Sequence, residues 1–350
     1  MRIAAVRHAF PPHYYDQAEL IAAFRRAWGR RHYNLDRLEQ LHRNVLVGGR
    51  HLALPLEEYD RLETWGQAND AWIRVGEEVG AEAVRQALAA AGLDAGDVDV
   101  IVFVSVTGIS TPSLDARLVN RLNLPAHVRR VPIFGLGCVA GAAGLSRAAD
   151  LLRGSGGQVA VLLSVELCSL TLQREDLSVP NLIATGLFGD GAAAAVVAAD
   201  DAPQCHGPRI VATRSVFYPG SEHVMGWSIS ESGFRVVLSP DVPAVVLGKL
   251  GGDVDSFLRD QGLTRGDIRA WISHPGGPKV LEAMQQALGL DAAALEASWR
   301  SLREAGNLSS ASILLVLEDV MRDAAPPPGG HGLMIAMGPG FCSELVLLRW

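Results

Sequence analysis

The pattern of apolar and polar positions changes several times along the chain, and each change predicts an element. Ile3 to Val6 is short and apolar and predicts a strand. Gln17 to Trp28 and Asp36 to Val45 carry apolar residues at helical spacing with charge on the other face, predicting two amphipathic helices. Glu78 to Ala91 is rich in Ala, Glu, Arg and Leu and stops at Gly92, a helix terminus. Val98 to Val106 is nearly continuous and β-branched, as in a strand covered on both faces. Val131 to Phe134 then runs into a glycine turn at Gly135 and Gly137, and an alanine-rich segment reaching Leu152 leaves it at helical spacing, with Cys138 at the junction. The small residues of that segment predict a central, closely packed helix.

A weak duplication organises these elements. Gly92-Leu93-Asp94-Ala95-Gly96-Asp97-Val98 joins a helix to a strand, and Gly262-Leu263-Thr264-Arg265-Gly266-Asp267-Ile268 does the same about 170 residues later. Gly137-Cys138 and Gly306-Asn307 each begin a helix at nearly the same offset. Phe188-Gly189-Asp190-Gly191 precedes a strand from Ala192 to Ala198, and Met337-Gly338-Pro339-Gly340 precedes another from Ser343 to Leu348. Three matched landmarks in one order predict two copies of an α/β unit, taken as residues 1–203, carrying the cysteine, and 204–350, carrying the histidine and asparagine below. A pseudo-twofold relation would bring the helix starts at Cys138 and Asn307 to one cavity. The second copy adds His274, where a strand Ala270-Trp271-Ile272-Ser273 runs into Pro275-Gly276-Gly277-Pro278.

Composition narrows the class. The chain has 350 residues, more than one typical domain, and no long linker, so two intimately packed halves are expected. A net charge of -7 speaks against a nucleic-acid surface. Met1 to Arg7 has too short an apolar part for a signal peptide and no run approaches a membrane span. Cys138, Cys168, Cys205 and Cys342 show neither a CxxC spacing nor a histidine cluster, so reduced thiols, no metal site and a cytoplasmic location are expected. Arg25, Arg26, Arg30, Arg31, Arg37 and Arg43 make the N-terminal region locally basic: solvated helix faces, or in part contacts for a phosphorylated ligand.

Cys, His and Asn together have a definite chemistry. At a helix start a thiol meets unpaired N–H groups and the positive end of the macrodipole, so a lowered pKa is expected; a buried structural cysteine is the other reading of that stretch alone. The thiolate attacks an acyl group, while the imidazole and a neutral amide aim two donors at one carbonyl oxygen. That pair suits the enolate formed when a malonyl thioester loses CO2. A papain-like hydrolase uses the same residue types, but with its cysteine near the mature N-terminus before a Trp.

On Gly137-Cys138 with its small-residue helix, Leu187-Phe188-Gly189-Asp190-Gly191-Ala192-Ala193, His274-Pro275-Gly276-Gly277-Pro278, Gly306-Asn307-Leu308-Ser309-Ser310 and Gly338-Pro339-Gly340, the sequence resembles the type III polyketide synthases, the chalcone synthase-like branch of the thiolase superfamily. The resemblance runs over nearly the whole chain. It implies an α/β fold of thiolase type, five-layered αβαβα from two duplicated halves, a homodimer, and CoA thioesters as substrates with no metal or organic cofactor. Cys138 would be loaded with a starter acyl group, and His274 and Asn307 would hold the malonyl thioester carbonyl. Phe188 and Phe234 match the family's aromatic pair between CoA tunnel and cavity. Gly276, Gly277 and Pro278 would line the CoA entrance, with Arg37 and Arg43 toward its phosphates.

Cavity positions of the family map to Val106, Thr107, Cys168, Thr171, Trp227 and Ser309, with Thr111 at the crossing to the partner subunit. Plant chalcone synthases carry hydroxylic residues where this chain has Val106 and Cys168, which disfavours an aromatic starter. Val224-Met225-Gly226-Trp227-Ser228-Ile229, Phe341-Cys342-Ser343-Glu344-Leu345 and Trp350 resemble bacterial alkylpyrone and alkylresorcinol synthases. The expectation is therefore a medium- or long-chain fatty acyl-CoA starter in an apolar tunnel lined by Thr107, Thr111 and Cys168. Two alternatives stay open: a malonyl-primed synthase of the tetrahydroxynaphthalene type, and a catalytically silent scaffold of the same fold.

Overall fold

The structure, a computed structural model, describes residues 1–28, 34–202 and 206–350. Arg30, Arg31, Cys205 and the junction at 203 and 204 lie outside the described residues. The strands described are β1 (Arg2–Ala9), β2 (His13–Asp16), β3 (Gly49–Leu52), β4 (Val100–Ser105), β5 (Arg129–Phe134), β6 (Val159–Leu167), β7 (Asp190–Ala198), β8 (Arg209–Phe217), β9 (Met225–Ser230), β10 (Gly233–Leu238), β11 (Ile268–Ser273), β12 (His331–Gly338) and β13 (Cys342–Arg349). Nine of them hydrogen-bond in the order β11-β12-β13-β8-β1-β7-β6-β4-β5, while β9–β10 and β2–β3 stand apart as hairpin-like pairs.

The duplication is visible in the pairing. β4 runs parallel to β6, which is antiparallel to β7, which is antiparallel to β1. β11, β12, β13 and β8 repeat that order and sense. The halves join at β1 and β8 through one pair, Arg2 opposite Arg209. β4, β6 and β7 are buried at every position, which is why they read as unbroken apolar runs.

Three apolar clusters fill the spaces between five layers. One face of the first half-sheet (Ile101, Phe103, Val161, Leu163) packs under the helix Trp65–Ala91. Its other face (Val100, Val102, Ala160, Leu162) and the facing residues of the second half (Ile272, Met334, Val346) enclose two central helices, Ala140–Ser155 and Ser312–Asp323. The far face of the second half (Trp271, Leu333, Ile335, Leu345) packs under Val242–Arg259 and Pro278–Leu288. The resulting αβαβα stack is the thiolase-type fold. The central helices approach so closely that a Cβ on Gly141 would lie 2.3 Å from the Ser310 carbonyl oxygen, so that position admits no side chain.

Sequence patterning located the elements and missed some ends. The helix read as Glu78 to Ala91 starts at Trp65, where Thr64 and Gln67 form a reciprocal capping box, and ends at Gly92 in the left-handed conformation. No helix among the described residues is long and apolar enough to cross a membrane.

Candidate active site

Cys138 sits where β5 turns into a central helix. Gly135 and Gly137 have φ of +97° and +58°, and the one-turn 3-10 segment Gly137–Val139 leads into Ala140–Ser155. Gly137 is doubly constrained, because a Cβ there would also strike Pro339 at 2.7 Å. A Cβ on Gly338 would lie 3.3 Å from the Cys138 backbone nitrogen, so the end of β12 rests directly on the cysteine turn.

The matching turn of the second half approaches from the other side. Cys138 Sγ lies 3.7 Å from Ser309 Oγ. The Ser309 N–H donates to Asn307 Oδ1 at 2.8 Å, and Asn307 Nδ2 donates to the Gly276 carbonyl at 3.3 Å. Asn307 is fixed at both backbone atoms: its N–H donates to Leu187 O at 2.9 Å, and its carbonyl accepts from Gly189 N–H at 3.0 Å, which brackets Phe188. His274 follows β11, and its backbone N–H donates to Ile335 O on β12 at 2.9 Å. Cys138, Asn307 and His274 thus occupy adjoining turns at one end of the central layer.

The His274 ring is 2% exposed, and neither of its nitrogens has a hydrogen-bond partner. A buried polar atom left unpaired costs about 1–3 kcal/mol, a cost that an incoming carbonyl oxygen would remove. Burial pushes the imidazole down to about 3. Burial also pushes the Cys138 thiol up to about 12, with the Glu166 carboxylate adding to the rise and the Ser309 hydrogen bond opposing it. The sequence-based expectation of a lowered cysteine pKa is corrected here in direction: desolvation raises the thiol and outweighs the helix start.

Glu166 was not anticipated. It is fully buried, its carboxylate accepts from Thr107 Oγ1 at 2.9 Å and Val106 N–H at 3.2 Å, and Ser310 Oγ donates to its other oxygen. Burial raises it to about 7. The available signal was a lone acid inside the apolar run Val159 to Leu167. A second unanticipated centre is Asp190, which accepts from Ala53 N–H at 2.6 Å and Ser169 N–H at 2.8 Å and so anchors the turn Cys168–Thr171 from behind.

The expected substrate residues divide. Cys168, Thr171, Phe188 and Trp227 line one cavity of about 820 Å³, together with Arg26, Arg50 and Arg174. Cys138, His274 and Asn307 are not on its wall; Phe188, which is, has a backbone that bridges to Asn307. Phe234 is 2% exposed and packs edge-on to Trp65 and tilted against Phe134 and Trp227, at 5.9, 6.2 and 6.0 Å between ring centres. Ser309 touches Cys138 as described, and Val106 is buried beside Glu166. Thr107 is 3% exposed and its hydroxyl is engaged, donating to Glu166 and accepting from Trp72 Nε1 at 3.2 Å and Leu167 N–H at 3.0 Å. Thr111 is exposed on the loop after β4, away from the cavity wall.

The residues expected at CoA are likewise spread. Gly277 has a φ of +139°, and Pro278 opens the helix Pro278–Leu288 beside Gly276. Arg37 and Arg43 lie on the exposed face of the helix Leu35–Asn44; Arg43 is paired with Glu39 at 2.6 Å, and neither arginine lines the cavity. Among the described residues no group of three or more His, Cys, Asp or Glu could hold a metal ion.

Comparison with known proteins gives the family. Residues 1–201 match the N-terminal domain of chalcone and stilbene synthases, and residues 209–350 match the C-terminal domain. The chain is 53% identical to the 1,3,6,8-tetrahydroxynaphthalene synthase of Streptomyces peucetius subsp. caesius, over 99% of this chain and 93% of that protein. It is 35% identical to the phloroglucinol synthase of Pseudomonas fluorescens, over 88% of this chain and 87% of that one. The crystal structure of 1,3,6,8-tetrahydroxynaphthalene synthase from Streptomyces coelicolor A3(2), a bacterial type III polyketide synthase, superposes with a TM-score of 0.94 at 31% identity, over 100% of this chain and 99% of that one. The chain belongs to the chalcone and stilbene synthase family and is a type III polyketide synthase.

Proposed function

We propose that this synthase is primed as well as extended by malonyl-CoA and releases a tetrahydroxynaphthalene-type aromatic product. The observation that carries this reading is the 53% identity to a 1,3,6,8-tetrahydroxynaphthalene synthase across 99% of the chain. It favours this reading over the expected fatty acyl starter. Of the three residues expected to line an apolar tunnel, Thr107 has its hydroxyl committed to Glu166, Thr111 faces outward, and Cys168 opens on a cavity that also bears three arginines.

Enzymes of this family act on CoA thioesters and need no cofactor. In the proposed cycle His274 takes the Cys138 proton as the sulfur attacks the starter thioester, the bond from the acyl carbon to the CoA sulfur breaks, and the proton passes to the departing CoA thiolate. A second malonyl-CoA loses CO2 while His274 and Asn307 donate to its thioester oxygen, so that the charge develops on an oxygen already met by two donors. The enolate carbon then attacks the acyl-enzyme and Cys138 leaves as thiolate. Gly276, Gly277 and Pro278, with Arg37 and Arg43, are proposed along the CoA path.

We also infer a homodimer. Ile109 and Phe134 are 46% and 48% exposed where the neighbouring strands β4 and β5 end, beside Thr111, and a second copy would cover them. Radiolabelled malonyl-CoA, supplied alone and with a series of acyl-CoA starters, tests the priming. Aromatic product from malonyl-CoA alone is expected. Product that needs a starter and lengthens with it would overturn the reading.

A further inference from the structure

Three stretches bearing substrate-site residues meet at one residue that belongs to none of the family motifs above. Gln173 follows the turn Cys168–Thr171 and is 7% exposed. Its Nε2 donates to the carbonyls of Ser232 at 2.9 Å and Phe234 at 3.2 Å, and reaches that of Thr171 at 3.3 Å. Its Oε1 accepts from Ser232 Oγ at 2.7 Å. Its backbone carbonyl accepts from Asn181 Nδ2 at 3.0 Å, on the helix Val179–Leu187 that delivers Phe188.

The hairpin β9–β10 needs such a tether. It forms a two-stranded sheet of its own, and a lone hairpin is marginal in water. Most of β9 is at least partly exposed, with Ile229 at 63%. The hairpin is held against the body by packing of Met225 and Leu238 on the third apolar cluster, by the Phe234 ring cluster, by the Arg235–Asp176 pair at 3.4 Å and by the Gln173 amide at its turn. The hairpin carries Trp227 and Phe234, while Cys168 and Thr171 are on the turn just before Gln173.

We propose that Gln173 is a positioning residue for specificity: its amide sets where the hairpin sits over the cavity, and thereby the space between Trp227 and Phe234 on one side and Cys168 and Thr171 on the other. This rests on the reading that those four residues bound the space occupied by the growing chain.

Gln173→Met keeps the length of the side chain and removes its donors and acceptor. Amide hydrogen exchange across residues 225–238 is expected to rise about tenfold, the loss of roughly one hydrogen bond's protection. The ratio of full-length to prematurely released products should shift at least about threefold, with Cys138 alkylation by iodoacetamide unchanged, because the change in spacing is remote from the nucleophile. Unchanged hairpin exchange would overturn the tether. A loosened hairpin with an unchanged product ratio and only a uniform fall in kcat would overturn its role in specificity. Ser232→Ala, which removes the bond to Oε1 and a contact to Ser230 Oγ within the hairpin turn, reads the same two quantities if the Met variant fails to fold. Should the wild type require an acyl starter, malonyl priming fails, and the starter-length profile of Gln173→Met still decides the role of Gln173.

Discussion

Ser309 Oγ is the side-chain partner of Cys138 Sγ, at 3.7 Å, and Ser309 holds this position with a left-handed backbone, φ +46°. Such a conformation in a residue other than glycine costs on the order of 1–3 kcal/mol and persists where the surroundings impose it. Here the imposing contact is the Ser309 N–H bond to Asn307 Oδ1. Ser309→Ala and Ser309→Gly separate the two effects. Both should slow iodoacetamide alkylation of Cys138 by about fivefold through loss of the hydroxyl, while the Gly variant should be more stable to urea than the Ala variant by about 1 kcal/mol. Equal alkylation rates in Ser309→Ala and wild type would remove Ser309 from thiolate stabilisation.

Cys138→Ala should abolish condensation and retain malonyl-CoA decarboxylation, since His274 and Asn307 remain to hold the thioester oxygen. Asn307→Ala should lower decarboxylation about 100-fold or more, the usual effect of removing one oxyanion donor, while acyl loading on Cys138 survives. Mass spectrometry of the acyl-enzyme and CO2 release measure the two steps separately. Loading lost with decarboxylation intact in Asn307→Ala would exchange the proposed roles.

Glu166 gives a pH dependence of defined sign. Burial raises its folded pKa from 4.5 to about 7, so the folded state holds the proton more tightly than the unfolded chain. Its contribution to stability is full below about pH 4.5 and is lost as the pH rises through about 7. Glu166→Gln removes this loss. The urea stability of the variant relative to wild type should therefore rise between pH 5 and pH 8, by the general linkage of protonation to folding, whichever way its absolute value moves. A difference that stays flat across that window would show that Glu166 is ionised throughout.

Much of the architecture was legible because burial leaves a periodic mark. β4, β6 and β7 are apolar at almost every position since both faces are covered, and the duplicated landmarks follow from two copies of one topology. The same repeat pointed to the turns at Cys138 and Asn307, and the strand before His274 pointed to a third. What was not legible depends on residues far apart in sequence. Glu166 shows as a stray acid in an apolar strand, but its partners Thr107 and Ser310 lie 59 and 144 residues away. Thr111, placed by the family resemblance at the crossing to the partner subunit, is exposed on the single chain.

The sequence by itself determined most strands and helices, the duplicated order of landmarks and the turns at Cys138, His274 and Asn307, because apolar periodicity and glycine-constrained turns are local properties of the chain; the layered fold was expected from the family resemblance. Only the tertiary structure decided the direction in which burial moves the Cys138 and His274 pKa values, the commitment of Thr107 to Glu166 and the contact of Gln173 with the β9–β10 hairpin. Each of these is set by desolvation or by hydrogen bonds across elements, which exist only once the layers have closed.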